Sequence, residues 1–294
     1  MASRDRPSVP NRSFPPNVCE PLPPRNFLTN GHVYFVLSQR AGGVSIGINM
    51  NPDKRCNFDC VYCEVDRRNA GGTARVPVRE MIAELEGALA LAAAGQLRFL
   101  ARGPVEPGLL ELKEVALSGD GEPTLCPNFR QVITSVIQLR LRSRVPFFKL
   151  VLITNASGLH LPEIRAGVAL LAESDEIWVK LDVGTQAAMD RINRSEVPLE
   201  IIQANILELA RERPVVIQSL FAVIDGREPG EEEIASYVER LRMLKEGGAA
   251  IALVQVYSAH RPAMNTACAH LPLRSLSRIA QSIRKQTGLA AEVF

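Results

Sequence analysis

An excess of charge of either sign is the first thing this sequence lacks. Its 34 Lys and Arg face 32 Asp and Glu, for a formal charge of +2 at pH 7. That is far from the basic balance of a dedicated nucleic-acid binder, so charge leaves the partner open. It also lacks a long hydrophobic run. The least polar stretch, Ala88 to Ala94, is short, Ala-rich and bordered by Glu84, Glu86 and Arg98, which makes it a helix face and excludes a membrane span. An apolar signal-peptide core is missing too; the N-terminus carries Pro7, Pro10, Pro15, Pro16, Pro21, Pro23 and Pro24 instead. A cytoplasmic protein with no membrane partner is the expectation. The four histidines (His32, His160, His260 and His270) are scattered, and of six cysteines three fall within eight residues. Neither a secreted disulfide framework nor a His-rich metal site fits this pattern. In a reducing compartment, metal or redox use does.

What is present begins with a Pro-rich, polar arm over residues 1–25, followed by a domain expected to span 26–294. Beyond Gly42 short apolar runs alternate with amphipathic segments. Residues 44–49, 114–118, 149–154, 176–181, 215–221 and 251–257 predict strands; 78–94, 128–141, 162–173, 199–211, 231–245 and 273–286 predict helices. Gly95, Gly247 and Gly288 follow helix ends, and Glu231 to Glu233 fill a first turn. Such alternation implies parallel βαβ units, wound as an open sheet or an incomplete barrel. Polar residues gather near the C-terminal ends of the strands: Thr154 and Asn155, Lys180 and Asp182, Gln218, and Gln255 with Tyr257. Both kinds of α/β fold place their sites there.

Directly after the first predicted strand comes Cys56-Asn-Phe-Asp-Cys60-Val-Tyr-Cys63, a C-x₃-C-x₂-C spacing. Three thiolates in one irregular loop can reach three corners of an iron–sulfur cube and leave the fourth iron open. The alternative is structural zinc, which wants four closed ligands, and no second cysteine pair is nearby.

With Tyr62 just before its last cysteine, this loop resembles the signature of the radical S-adenosylmethionine (SAM) superfamily. The resemblance implies a [4Fe–4S] cluster on Cys56, Cys60 and Cys63. Its open iron would chelate the amino and carboxylate groups of SAM, with Tyr62 near the adenine. Reductive cleavage of SAM would then yield a 5′-deoxyadenosyl radical that abstracts hydrogen from a substrate. The second strand ends in Gly119-Asp120-Gly121-Glu122-Pro123, which resembles the family's GGE-type motif. Gly121 then allows close approach to a ligand and Glu122 accepts from the SAM ammonium; a tight turn is the structural alternative. Asp120 departs from the usual pattern. Asn155, in Thr154-Asn155-Ala156, resembles the family's TNG strand end and is a candidate for the SAM carboxylate or ribose, or simply an Asx-turn. Lys180 and Asp182 read either as a buried ion pair or as groups meeting a SAM or substrate carboxylate and the ribose; Lys180 is also a candidate catalytic residue. The strings Trp178 to Thr185, Arg191-Ile-Asn-Arg194 and Val254 to Pro262 are similar to stand-alone Fe–S oxidoreductases related to wyosine-synthesising tRNA enzymes. Those enzymes carry a further cluster on N-terminal cysteines, where this chain has only Cys19.

The fold expected is therefore an incomplete (β/α)₆ TIM-like barrel of parallel strands. The arm, the loop 69–73 and the segment 289–294 are expected to cap its mouth. The expected function is that of a radical SAM enzyme acting on a small metabolite or a tRNA base, with an electron donor such as flavodoxin or ferredoxin. Cys126 is the candidate hydrogen-atom donor; Cys19, Cys126 and Cys268 could hold an auxiliary cluster but lack a supporting spacing. The basic runs Arg140, Arg142, Arg144, Lys149 and Arg274, Arg278, Arg284, Lys285 read as solvated helix faces. A non-catalytic iron–sulfur or zinc protein is the alternative class.

Overall fold

The computed structural model describes residues 30–68, 71–101, 105–142, 145–259, 263–265 and 267–294. The chain enters as an antiparallel pair, β1 (Val33–Ser38) and β2 (Gly43–Asn49). Then follow α1 (Val78–Ala93), α2 (Leu97–Leu100), β3 (Leu112–Ser118), α3 (Phe129–Leu141), β4 (Lys149–Thr154), α4 (Pro162–Val168) and β5 (Glu176–Lys180). Next come α5 (Gln186–Ile192), α6 (Leu199–Glu212), β6 (Val215–Leu220), β7 (Ala222–Ile224), α7 (Glu231–Glu246) and β8 (Ile251–Tyr257). The chain closes with β9 (Cys268–His270), α8 (Leu273–Thr287) and β10 (Ala291–Val293). Eight strands form one sheet in the order β1-β2-β3-β4-β5-β6-β8-β10, parallel at every pairing after the first. β7 and β9 pair antiparallel on their own. The six strands read from the sequence are consecutive here, curled into the expected incomplete TIM-like barrel.

Alternation along each strand gives the sheet two different faces. Ile46, Ile48, Val115, Leu117, Leu150, Leu152, Ile177, Val179, Ile217, Val254 and Val256 form one core with the buried stripes of the helices. On α8 that stripe is Leu276, Ile279, Ala280 and Ile283, spaced three and four apart as a helix face requires. Each such Leu, Ile or Val side chain contributes roughly 1.5–3 kcal/mol on burial. The concave face is mixed. Trp178 packs with Val151 and Val216, while a polar chain lies below it. There Ser45 donates to Glu114, Lys149 stands 3.0 Å from Glu176 and 3.8 Å from Glu114, and the Trp178 indole donates to Glu176. Above Trp178 the same face carries Lys180, Gln218, Gln255 and Tyr257, so the C-terminal ends of the strands form a polar mouth.

Three expectations are corrected. The sheet gains an antiparallel edge strand, β1, and the amides of Gly31 and His32 just before it and of Val33 at its start all donate to the Glu84 carboxylate on α1. Residues 289–294 do not cap the mouth. They enter the sheet as β10, parallel to β8, because Leu289 and Ala291 are buried there and Phe294 donates to the Val256 carbonyl. The helix read as 162–173 stops at Val168, since Arg213 takes the carbonyls of Val168, Leu171, Ala172 and Asp175 and holds the chain in an irregular turn. The arm 1–25, Cys19, Asn69, Arg144, His260, Arg261 and Pro262 lie outside the described residues. Among the described residues no helix is long and apolar enough to cross a membrane.

Candidate active site at the cysteine loop

The cysteine loop leaves the top of β2 and is clamped from three sides. Beside β3, Glu122 donates its amide to the Arg55 carbonyl (3.0 Å), and Gly119 turns at φ +126°, a left-handed conformation that suits glycine. Beyond α5, the amides of Asp59 and Val61 donate to the carbonyls of Asn193 (3.0 Å) and Ile192 (2.9 Å), and Glu196 donates back to Asn57 (3.0 Å). After β8, the Met264 amide reaches the Cys63 carbonyl (2.9 Å). A loop with no regular structure of its own thus has its backbone groups satisfied from outside.

The three sulfurs are partly buried, and each accepts an N–H. Phe58 donates its amide to Cys56 Sγ at 3.4 Å, Asn193 its Nδ2 to Cys60 Sγ at 3.6 Å, and Arg67 its Nη1 to Cys63 Sγ at 3.1 Å. Burial, with the nearby Glu122 charge, pushes the Cys56 thiol up to about 12, and burial likewise raises Cys60. Thiols so placed stay protonated unless a metal takes the proton's place, whereas N–H donors aimed at sulfur suit thiolates. Among the described residues no three His, Cys, Asp or Glu side chains converge as a single ion would need. A cube, with one iron per thiolate, does not ask them to. The donor set therefore fits an iron–sulfur cluster better than zinc.

Hydrogen bonds join the side chains of the mouth around the loop. Tyr62 donates its hydroxyl to Asp182 Oδ2, which also accepts from Asn193 Nδ2 (2.8 Å), while Oδ1 accepts from the Leu220 amide (2.8 Å). Lys180 donates to the Tyr257 hydroxyl (3.2 Å) and stands 5.0 Å from the Tyr62 ring centre. Burial opposes its charge, but Asp182, Tyr257 and Cys60 more than offset this, so the ammonium is held above its ordinary value. Lys180 and Asp182 make no direct ion pair. On the other side Glu122 Oε1 accepts from Thr124 twice and from Thr154, and Oε2 from the Asn155 amide (2.7 Å). A carboxylate offers about four acceptor sites, so Oε2 keeps room for one more donor. Asn155 forms the Asx-turn, accepting from Ser157, and also donates to Asn57 in the cysteine loop (2.9 Å). Beside Tyr62 and Asp182 opens a cavity of about 520 Å³ lined by Gly184, Ile192, Leu220 and Ala222, with Arg191, Arg227 and Glu233 on its walls. That volume is of small-molecule size.

The structure thus brings Cys56, Cys60, Cys63, Tyr62, Glu122, Asn155, Lys180 and Asp182 to one mouth. Gly121 sits against the cysteine loop's backbone. Cys126 is not brought there: it is buried in the helix-side core, with Sγ 3.4 Å from Asn128 Oδ1, and burial raises its pKa. Cys268 lies on β9 against the small apolar cluster of Val61, Tyr62, Leu220 and Ala222. In the basic runs, Arg140 pairs with Asp175 and Arg284 donates to the Ala291 carbonyl. Two residues given no role by the sequence stand against the sulfurs, Arg67 and Asn193. The one available signal was Asn193's position inside the Arg191–Arg194 string.

No family model matches the chain. It is 27% identical over 175 residues to a UPF0026 protein of Synechocystis, covering 58% of this chain and 56% of that protein. A UPF0026 protein of Helicobacter pylori is 28% identical over 163 residues, covering 54% and 44%. The chain spans about half the length of these curated relatives. Among solved structures, a radical SAM methyltransferase from Sphaerobacter thermophilus superposes with a TM-score of 0.61 at 15% identity, over 89% of this chain and 68% of that one. The chain has the fold of that enzyme. TYW1, solved with a lysine-pyruvate adduct, shares it at a TM-score of 0.52 and 14% identity, over 87% and 85% of the two chains. So does a spore photoproduct lyase variant, at 0.56 and 12%, over 88% and 78%. In all three the match extends over most of this chain, which makes the half-barrel the shared feature.

Proposed function

We propose that the chain is a radical SAM enzyme, with a [4Fe–4S] cluster on Cys56, Cys60 and Cys63 and SAM at the mouth beside it. The observation that carries this reading is the set of three sulfurs, each facing an N–H donor, at the mouth of a radical SAM fold. Held by Cys56, Cys60 and Cys63, the cluster would supply the one electron needed for reductive cleavage of SAM to methionine and the hydrogen-abstracting 5′-deoxyadenosyl group.

The chain's own residues bind, orient and exclude water. Asp182 and Asn193 fix the Tyr62 ring at the cavity edge, and the free acceptor site of Glu122 Oε2 suits the SAM ammonium. Asn155, tied to Asn57, holds the strand end against the cysteine loop, within reach of the SAM carboxylate or ribose. Lys180 keeps a charged ammonium beside Cys60 and Tyr62, hydrogen-bonded to the Tyr257 hydroxyl, and is placed to meet a carboxylate of SAM or substrate. The electron comes from an external one-electron donor such as flavodoxin or ferredoxin. The substrate is a small metabolite or a tRNA base.

Anaerobically reconstituted protein, given dithionite and SAM, is expected to release 5′-deoxyadenosine and methionine, and Cys60→Ala to lose both the brown chromophore and that release. A fully loaded cluster with no 5′-deoxyadenosine would overturn the reading in favour of a non-catalytic iron–sulfur protein.

A further inference from the structure

The three sulfur contacts are not equivalent. The donor at Cys56 is a main-chain amide and that at Cys60 a neutral carboxamide, at 3.4 and 3.6 Å. The donor at Cys63 is a guanidinium, at 3.1 Å the shortest of the three. Arginine is not deprotonated in proteins, so this contact places a full positive charge on a cysteine sulfur. That charge is also fixed. Arg67 Nε donates to the Lys54 carbonyl (3.2 Å) and Nη2 to the Asp120 carbonyl (3.3 Å), so the planar fork is held at three points, from the start of the cysteine loop, its end and the turn after β3.

Resting on the proposed function, we infer that Arg67 sets the reduction potential of the cluster, acting through Cys63 as a positioning residue. The step it governs is the uptake of one electron from an external donor, by which the [4Fe–4S]²⁺ form becomes [4Fe–4S]⁺ with no bond made or broken. The reduced form carries one more negative charge, so a fixed cation and its N–H···S bond stabilise it over the oxidised form. A half-buried position strengthens the effect, because water screens the charge less there.

The competing role is a staple for the loop, and two substitutions separate the roles. Arg67→Gln keeps an N–H donor and drops the charge; Arg67→Lys keeps the charge and loses the three-point fork. The full-length protein would be reconstituted anaerobically and titrated without SAM, the reduced cluster being read by electron paramagnetic resonance at each poise. Arg67→Gln is expected to lower the ratio of reduced to oxidised cluster about tenfold at a given poise, a shift of about 59 mV for one electron. Arg67→Lys is expected to retain most of the wild-type ratio. An unchanged potential in Arg67→Gln at full iron content would overturn the proposal. So would failure of both variants to take up iron, which a staple predicts. Iron uptake by Arg67→Lys but not by Arg67→Gln would support it, since charge rather than stapling is then what the site requires. Wild-type protein that takes up no cluster overturns the proposed function itself, and this inference with it.

Discussion

A methyl group on Gly121 would come within 2.0 Å of the Arg55 carbonyl oxygen and 2.7 Å of Asn51 Cβ. Both contacts are with the cysteine loop, and a backbone carbonyl cannot swing aside as a side-chain tip can. Gly121→Ala is therefore expected to displace Arg55 and the adjacent Cys56, and to lose most of its iron after reconstitution while the far-ultraviolet circular dichroism stays that of the folded barrel. The sequence marks Gly121 as a place of close approach, and in the structure the chain's own loop approaches it. It marked Lys180 and Asp182 as sharing one face, and they do share the mouth, yet each has found a separate partner. Arg67 and Asn193 were not legible. Their roles depend on a guanidinium folding back four residues and on a helix end meeting a loop 133 residues away, and neither leaves a spacing in the sequence.

At the scale of elements, the most specific link among the helices and strands is Asp175, in the turn between α4 and β5. Its carboxylate takes two bonds from Arg140 on α3, at 2.7 and 3.0 Å, and one each from the amides of Leu150 and Ala172. Burial works against the charge, but these four donors outweigh it and hold the carboxyl below its ordinary range. The stability it contributes is thus present above the ordinary carboxylate pKa near 4 and lost as pH falls through the lowered native value. Asp175→Asn is expected to cost roughly 3–5 kcal/mol at pH 7, because Arg140 is left buried without its partner. Urea denaturation at a series of pH values should show the gap between wild type and variant closing toward acid; a gap independent of pH would contradict the account. The six central strands were readable to within two residues, since their apolar runs are continuous where helices cover them. β7, β9 and β10 were not, each being three residues long, too short for a period to show.

At the scale of the whole molecule, the barrel does not close, and its sheet ends in two edges. β1 guards one by antiparallel pairing with β2, and β10 guards the other by covering β8 with only three residues. Deleting residues 289–294 would bare the β8 edge and remove the buried Leu289 and Ala291. The expected cost is at least about 2 kcal/mol in urea denaturation, with a rise in light scattering as the exposed strand recruits other chains.

The clamp on the cysteine loop also has a consequence in time. Its thiols are synthesised early, but the carbonyls of Ile192 and Asn193 that hold the loop, and the amide that faces Cys60, leave the ribosome 133 residues later. At ordinary rates of synthesis that is a delay of roughly seven to twenty-seven seconds. During it the cysteine loop has its partners at Arg67, Glu122 and Asn155 but lacks the side of the clamp that Ile192 and Asn193 supply. On the proposed function, a nascent chain arrested before Asn193 should be unable to hold a cluster.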